Sequence, residues 1–199
     1  MKKHPAALIP HALFMLTFIY MVQYVINDGG NYLYIYRLGA ETITDGPGGP
    51  GLYEVSLDNY PFTYPPFAAL LFVPFALMPK EVGMALMMLI TAGIAWWLGW
   101  VITRYVSRRG VRIPLYEHLG TAGCASTLAL LIWASGPWRL TTHFGQINAV
   151  ILLLVLADFL RPAKRIPRGA LIGIAGGIKL TPLAFGLILL LRKDWRGVA

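Results

Sequence analysis

Between Leu8 and Ile26 the chain carries no Asp, Glu, Lys or Arg. A helix that crosses a bilayer needs about 20 mostly apolar residues, so this stretch alone points the chain toward lipid. Lys2 and Lys3 precede it, and no small-residue cleavage site follows it. It therefore reads as an uncleaved first span with its N-terminus inside, rather than a signal peptide. Further apolar segments run over 64–78, 82–106, 118–134, 147–160 and 169–191. Hydrophobic residues make up 57% of the chain and charged ones only 13%, against about 25% charged in ordinary globular chains. Mean hydropathy is +0.61. The expectation is an all-α, polytopic integral membrane protein of five or six membrane segments, forming a single transmembrane domain over 1–199.

The net charge of +8 does not imply nucleic acid. Its basic residues gather in short clusters between apolar runs: Lys2-Lys3, 104–112, 161–168 and 192–196. Loops facing the cytoplasm and anionic lipid have this pattern. The one acidic segment is 27–61. It holds Asp28, Glu41, Asp45, Glu54 and Asp58 but only one base, Arg37, which places it outside the cytoplasm. Within it, 32–43 is unbroken except at Gly39 and sets Leu33, Tyr36 and Ala40 on one face, predicting a short interfacial helix. Gly46 to Gly51 reads as a flexible turn. If every apolar segment crosses once, the clusters 104–112 and 161–168 fall outside, against the positive-inside preference. One re-entrant or interfacial segment restores agreement, and the proline-bounded piece 64–79 is the candidate.

Three features could carry chemistry. Phe62-Thr63-Tyr64-Pro65-Pro66-Phe67 sits where the polar loop meets an apolar segment. Proline there starts a helix, and the aromatics suit a membrane–water boundary, so Tyr64 joins the candidate binding residues. His143, Gln146 and Asn148 lie just before another apolar helix, whose N-terminus favours a phosphate. An ordinary polar interfacial turn explains the same residues. Lys179 lies about ten residues into the last apolar segment, where a lysine costs about 2.5–3.5 kcal/mol to insert. It must snorkel, pair with an acid such as Asp158, or meet an anionic ligand. Gly173, Gly176, Gly177 and Pro182 around it predict close helix packing or a broken helix. Arg37 and Arg139 are further phosphate candidates. Trp96, Trp97, Trp100, Trp133 and Trp138 read as interface anchors. The single Cys124 excludes an internal disulfide or a cysteine metal site. No carboxylate–histidine spacing suggests another metal site, and no cofactor is expected.

The stretch Phe62 to Phe72 resembles the signature of glycosyltransferase family 87, bacterial polyprenyl-phosphate-mannose-dependent alpha-mannosyltransferases of the GT-C membrane fold. Three more stretches fit in order. Tyr36-Arg37-Leu38-Gly39-Ala40 is similar to the end of the family's first-loop motif. Gly145-Gln146-Ile147-Asn148, leading to Ala157-Asp158, is similar to its Gly-Gln-x-Asn motif. Ile178-Lys179-Leu180-Thr181-Pro182, followed by a basic run at 192–196, is similar to its lysine–proline segment.

The resemblance implies a GT-C helical bundle in the bacterial plasma membrane with an extracytoplasmic active face. It implies transfer of mannose, or another hexose, from a polyprenyl-phosphate donor to a glycan or glycolipid acceptor. An aspartate of the first outer loop takes the acceptor's proton, the anomeric carbon inverts and the lipid phosphate leaves. Counting back from Tyr36, the family's aspartate falls at Tyr32. Asp28, four residues upstream, is the candidate base; a cap on the helix end, shared with Asn27 and Gly29, is its structural alternative. Lys179, Gln146, Asn148, His143, Arg37 and Tyr64 are the candidates for donor phosphate or substrate. Family members continue through several more helices, so the resemblance covers their N-terminal half, with a second chain as one source of the rest. The rival readings are a small transporter or channel subunit, and an inactive partner of a split transferase. A transporter predicts an internal repeat, and none is visible.

Overall fold

The computed structural model describes residues 4–46, 48–161 and 166–198, without the side chains of 27, 28, 196 and 198. The helices are α1 (Leu8–Asp28), α2 (Asn31–Thr44), α3 (Pro66–Ala76), α4 (Lys80–Arg108), α5 (Tyr116–Ala134), α6 (Gly136–His143), α7 (Asn148–Leu160), α8 (Ala170–Ile178), α9 (Gly186–Leu191) and α10 (Trp195–Val198). Short 3₁₀ turns at Pro5–Ala7 and Thr181–Phe185 lead into α1 and α9. The only strands among the described residues are β1 (Ser56–Leu57) and β2 (Tyr60–Pro61), an antiparallel pair. Asp58 and Asn59 both have positive φ, 46° and 68°, which a tight hairpin turn demands and Asn and Asp tolerate.

Among the described residues two helices are long and apolar enough to cross a membrane, at Pro5–Ile26 and Lys80–Arg108. A third span results if α5 and α6, bent by 78° at their junction, count as one. The sequence allowed five or six membrane segments. The difference lies in length, because α3, α7 and the Thr181–Leu191 stretch are short. At 1.5 Å per residue an 11- to 13-residue helix reaches only about 16–20 Å, against a hydrocarbon core of about 30 Å. The chain divides into two compact units: Met1–Gly30 with Met84–Gln146, and Asn31–Gly83 with Ile147–Ala199.

In the first unit α1 lies on α5. Phe14 and Phe18 set their ring edges against Trp133, at 5.5 and 6.1 Å between centroids. Trp133 and Trp138 are thus buried rather than displayed as anchors, because the α1–α5 gap takes the Trp133 ring. Trp100, under Arg104 at 4.8 Å, stays nearer the surface. α4 and α5 approach closely. A Cβ on Gly99 would come 2.3 Å from the Ala125 carbonyl oxygen, the small-residue contact that lets membrane helices touch. Ser126 Oγ accepts from Trp96 Nε1 at 3.0 Å and lies 2.6 Å from His11 Nδ1, tying α1, α4 and α5. Leu13, Leu16 and Ile19 on α1 remain exposed, an apolar face suited to lipid.

In the second unit α2 packs on α3, burying Leu33, Ile35, Tyr36, Gly39 and Ala40. Three of these are the predicted face. A Cβ on Gly39 would lie 2.4 Å from the Phe62 ring, so glycine here makes room for the aromatic collar. α7 and α8 form an antiparallel pair around Val155, Ile172, Ala175 and Leu189. The last apolar segment is broken, as its Gly and Pro content predicted. α8 stops at Ile178, Lys179 is extended (φ −151°, ψ 131°) and a 3₁₀ turn carrying Pro182 follows.

Candidate functional site

The break after α8 sets Lys179 beside the N-terminus of α7, where its Nζ donates to Asn148 Oδ1 at 3.3 Å. Asn148 is the first residue of α7. The ammonium also stands over the Tyr64 ring, 5.8 Å from its centroid. No carboxylate pairs with Lys179 among the described residues; the ion pair there joins Asp158 and Arg161. A helix N-terminus carries partial positive charge, and a lysine beside it adds more. Positive potential from two sources, held by a neutral amide and an aromatic face, favours a phosphate.

Tyr64 is itself positioned by hydrogen bonds. The backbone N–H of Ile147 donates to Tyr36 Oη at 3.4 Å, and the Tyr36 hydroxyl donates to Tyr64 Oη at 3.2 Å. The Tyr36 ring stacks on Phe72 at 4.2 Å and meets Tyr64 edge-on at 4.9 Å. Burial holds the Tyr36 hydroxyl well above the usual phenol range, reinforced by Tyr64 beside it. Burial raises Tyr64 too, against a lowering hydrogen bond from Tyr36. Both phenols are therefore neutral at physiological pH. Since Tyr64 accepts from Tyr36, its own proton is not committed to Tyr36. The sequence pointed to Tyr64 but not to this partnership. The available signal was a tyrosine on the predicted buried face of 32–43, because a buried phenol needs a partner.

Arg37 lies in the same unit with its guanidinium engaged by three backbone carbonyls. Its guanidinium donates to the carbonyl oxygens of Phe75 and Met78, at 2.5 and 2.7 Å, and of Ala76 at 3.3 Å. Phe75 and Ala76 carry orphan acceptors of the last turn of α3 and Met78 follows its C-cap, so Arg37 closes that helix. Asp158 does not meet Lys179. It accepts from Arg161 at 2.6 Å and from the N–H groups of Gly169 and Ile172 at 2.6 and 3.3 Å, capping α8.

The other candidates belong to the first unit. Asp28 is the last residue of α1, and its side chain lies outside the described residues. The backbone just beyond it is held: Gly30 N–H donates to the His143 carbonyl oxygen at 2.9 Å. A Cβ on Gly29 would come within 2.5 Å of that same oxygen. The end of α1 and the end of α6 are therefore neighbours, which brings Asp28 and His143 together along the backbone. The buried Nδ1 of His143 has no hydrogen-bond partner among the described residues. Gly145 has φ +65°, and its N–H donates to Thr142 O while Gln146 N–H donates to Thr141 O. This is a Schellman stop on α6. Here Gln146 follows the end of one helix and Asn148 starts the next, so the glycine of the Gly-Gln-x-Asn pattern has a backbone reason.

Residues 62–199 match the family described as glycosyltransferase family 87. Two curated relatives are similar to the chain. One, from Mycolicibacterium smegmatis, is a polyprenol-phosphate-mannose-dependent alpha-(1-2)-phosphatidylinositol pentamannoside mannosyltransferase, 36% identical over 88% of this chain. The other, from Mycobacterium tuberculosis, is a polyprenol-phosphate-mannose-dependent alpha-(1-2)-phosphatidylinositol mannoside mannosyltransferase, 33% identical over 81% of this chain. The chain spans about two fifths of their length, 42% and 40%. No solved structure matches it at a significant level. The family match reaches from the aromatic collar through the lysine break, over more than half of the chain: the chain belongs to glycosyltransferase family 87.

Proposed function

We propose that these residues serve a membrane mannosyltransferase reaction, in which mannose or another hexose passes from a polyprenyl phosphate to an acceptor hydroxyl. Lys179, Asn148 and Tyr64 hold the donor phosphate, and Asp28 takes the acceptor's proton. The oxygen freed of that proton attacks the anomeric carbon, the bond from that carbon to the phosphate oxygen breaks, and polyprenyl phosphate leaves. The acidic 27–61 loop faces away from the cytoplasm, with α2 along the membrane interface and the long helices forming a polytopic GT-C-type bundle. A glycolipid such as a phosphatidylinositol mannoside, the acceptor class in the relatives' names, is the partner this reading gives the chain. Arg37 is left out of phosphate binding, because it closes α3.

The observation that carries the proposal is Lys179 at the α7 N-terminus beside Tyr64, without an acid among the described residues. Lys179→Met tests it, since methionine keeps an unbranched stem and removes the charge. Affinity for polyprenyl-phosphate mannose, measured on protein in nanodiscs, should fall by about 1.5–3 kcal/mol, the worth of a charge-assisted hydrogen bond. The melting temperature should hold or rise, because a charge at depth is costly. Lys179→Arg keeps part of the affinity, as charge persists while geometry changes. Unchanged donor affinity in Lys179→Met ends the phosphate role. Asp28→Asn keeps size and removes basicity, so transfer should drop about 10²–10⁴-fold with donor affinity intact.

A further inference from the structure

We infer that the cleft between the outer end of α1 and α6 is the acceptor subsite, seating one polyhydroxylated ring of a glycolipid acceptor on Tyr20 and Tyr24, with Arg139 and His143 bonding its hydroxyls. The inference rests on the transferase reading above and adds to it where the acceptor binds. The cleft has a volume of about 320 Å³ and is lined by Tyr20, Met21, Tyr24, Arg139, Leu140 and His143. That is near the lower end of ligand pockets, roughly 300–1,000 Å³, which suits a single ring rather than an oligosaccharide.

Tyr20 and Tyr24 occupy successive turns of α1. Their rings are nearly parallel, 10° apart, with centroids at 6.4 Å, and both are exposed. Tyrosines at this depth would serve as interface anchors on their own. Two further observations separate this cleft from a bare anchor. The exposed Arg139 side chain makes no hydrogen bond or ion pair among the described residues, which leaves its five donors open to the cleft mouth. The buried Nδ1 of His143 also lacks a partner, and its ring lies 5.6 Å from Tyr24. An aromatic wall for C–H faces, a donor fork and an orphaned ring nitrogen together match a sugar or inositol ring. Such a ring presents an apolar face and a rim of hydroxyls.

Placement agrees with the chemistry. Asp28 follows Tyr24 by four residues, one helical turn or about 6 Å along α1. The loop after it is fixed to His143 by the Gly30 N–H bond. A ring seated on Tyr24 is therefore one turn from the residue proposed to take its proton.

The test separates acceptor from donor on the purified chain in nanodiscs. The acceptor probe is a short-chain phosphatidylinositol mannoside, with phosphatidylglycerol as the anionic lipid control, and the donor probe is polyprenyl-phosphate mannose. Tyr24→Ala and Arg139→Gln should each weaken acceptor binding roughly tenfold or more, as loss of a stacking wall or a charged donor does. Tyr24→Phe should retain acceptor binding, because the ring remains. Donor affinity should be the same in all variants. Acceptor affinity within about twofold of the parent in both variants, well short of one charged hydrogen bond, overturns the inference. Binding of phosphatidylglycerol as tight as the mannoside also overturns it. Loss of acceptor binding in the variants, in a parent that binds no donor, supports the subsite and removes the transferase reading instead.

Discussion

The α7–α8 pair holds a charged residue at each end, and the two are treated in opposite ways. At one end Asp158 is only 1% exposed and fully matched by the Arg161 guanidinium and two backbone N–H groups of the α8 N-terminus. Arg161 is itself held by the carbonyl oxygens of Ile166 and Pro167. At the other end Lys179 is only partly covered and has a neutral amide and a tyrosine face for company. Both ends meet a helix N-terminus. The carboxylate reaches the α8 N-terminus, whose dipole welcomes it, while the ammonium reaches over to the α7 N-terminus although its own backbone closes the α8 C-terminus. A charge placed with the field and enclosed by donors fastens two helices. A charge with only neutral partners among the described residues fastens nothing by an ion pair.

Asp158→Ala should produce the largest effect on the fold. It removes the partner of a mostly buried guanidinium and strips the cap from α8, so stability should fall by about 3–5 kcal/mol. Equilibrium unfolding in detergent micelles measures this. Donor affinity of the fraction that stays folded should change little. A stable Asp158→Ala protein that no longer binds donor would reverse the assignment of the two ends.

How much of this contrast the sequence revealed depends on the length scale of each cause. The buried face of 32–43, the break near Lys179 and the start of α3 at Pro66 depend on local periodicity or on Gly and Pro, and all three were readable. The number of spans was not, because hydropathy marks apolar stretches without marking where the backbone bends. α6 escaped notice because its eight residues, Gly136–His143, are mixed in polarity. The pairing of charges was also hidden. Asp158 stood as a possible partner of Lys179 in the one-dimensional reading. Arg161 lies three residues along the chain from it and reaches the carboxylate. Arg37 lies inside a motif, and nothing local foretells that its guanidinium donates to carbonyl oxygens at the end of α3, thirty-eight residues away. Contacts across the chain, such as Arg37 to the end of α3 and Asp158 to α8, were thus not legible in the sequence.

A smaller effect is expected at Tyr64, which sharpens the lysine end of the comparison. Tyr64→Phe keeps the ring under Lys179 and removes one neutral donor, so donor affinity should fall by about 0.5–1.5 kcal/mol. An ordinary phenol titrates near 10, and burial raises both Tyr36 and Tyr64 above that in the folded protein. A raised folded pKa means the stabilisation is whole below the unfolded value and is lost as pH climbs through the folded one. The pair should therefore contribute no loss of stability between pH 7 and about 9, and begin to contribute one only above about 10. Tyr64→Phe should not alter donor affinity differently at pH 7 and pH 9. A variant whose deficit grows over that interval would mean the phenol ionises earlier than its burial allows.

The smallest expected quantity is the coupling between the two ends. Asn148 and Asp158 are ten residues apart on α7, about 15 Å along the axis, and Lys179 and Asp158 share no hydrogen-bond partner among the described residues. Sites more than 7–10 Å apart without shared partners add to within about 0.5 kcal/mol. The double variant Lys179→Met, Asp158→Asn should therefore show the sum of its single effects on stability. If Lys179 were the hidden counter-ion of Asp158, neutralising both would rescue what neutralising one had lost. A coupling of about 1 kcal/mol or more, outside that additive range, would show the hairpin responding as one electrostatic unit, and Lys179 would then owe its place to the fold. Coupling near zero, together with weakened donor binding in Lys179→Met alone, leaves the lysine answering to a ligand and the aspartate to the helices it joins.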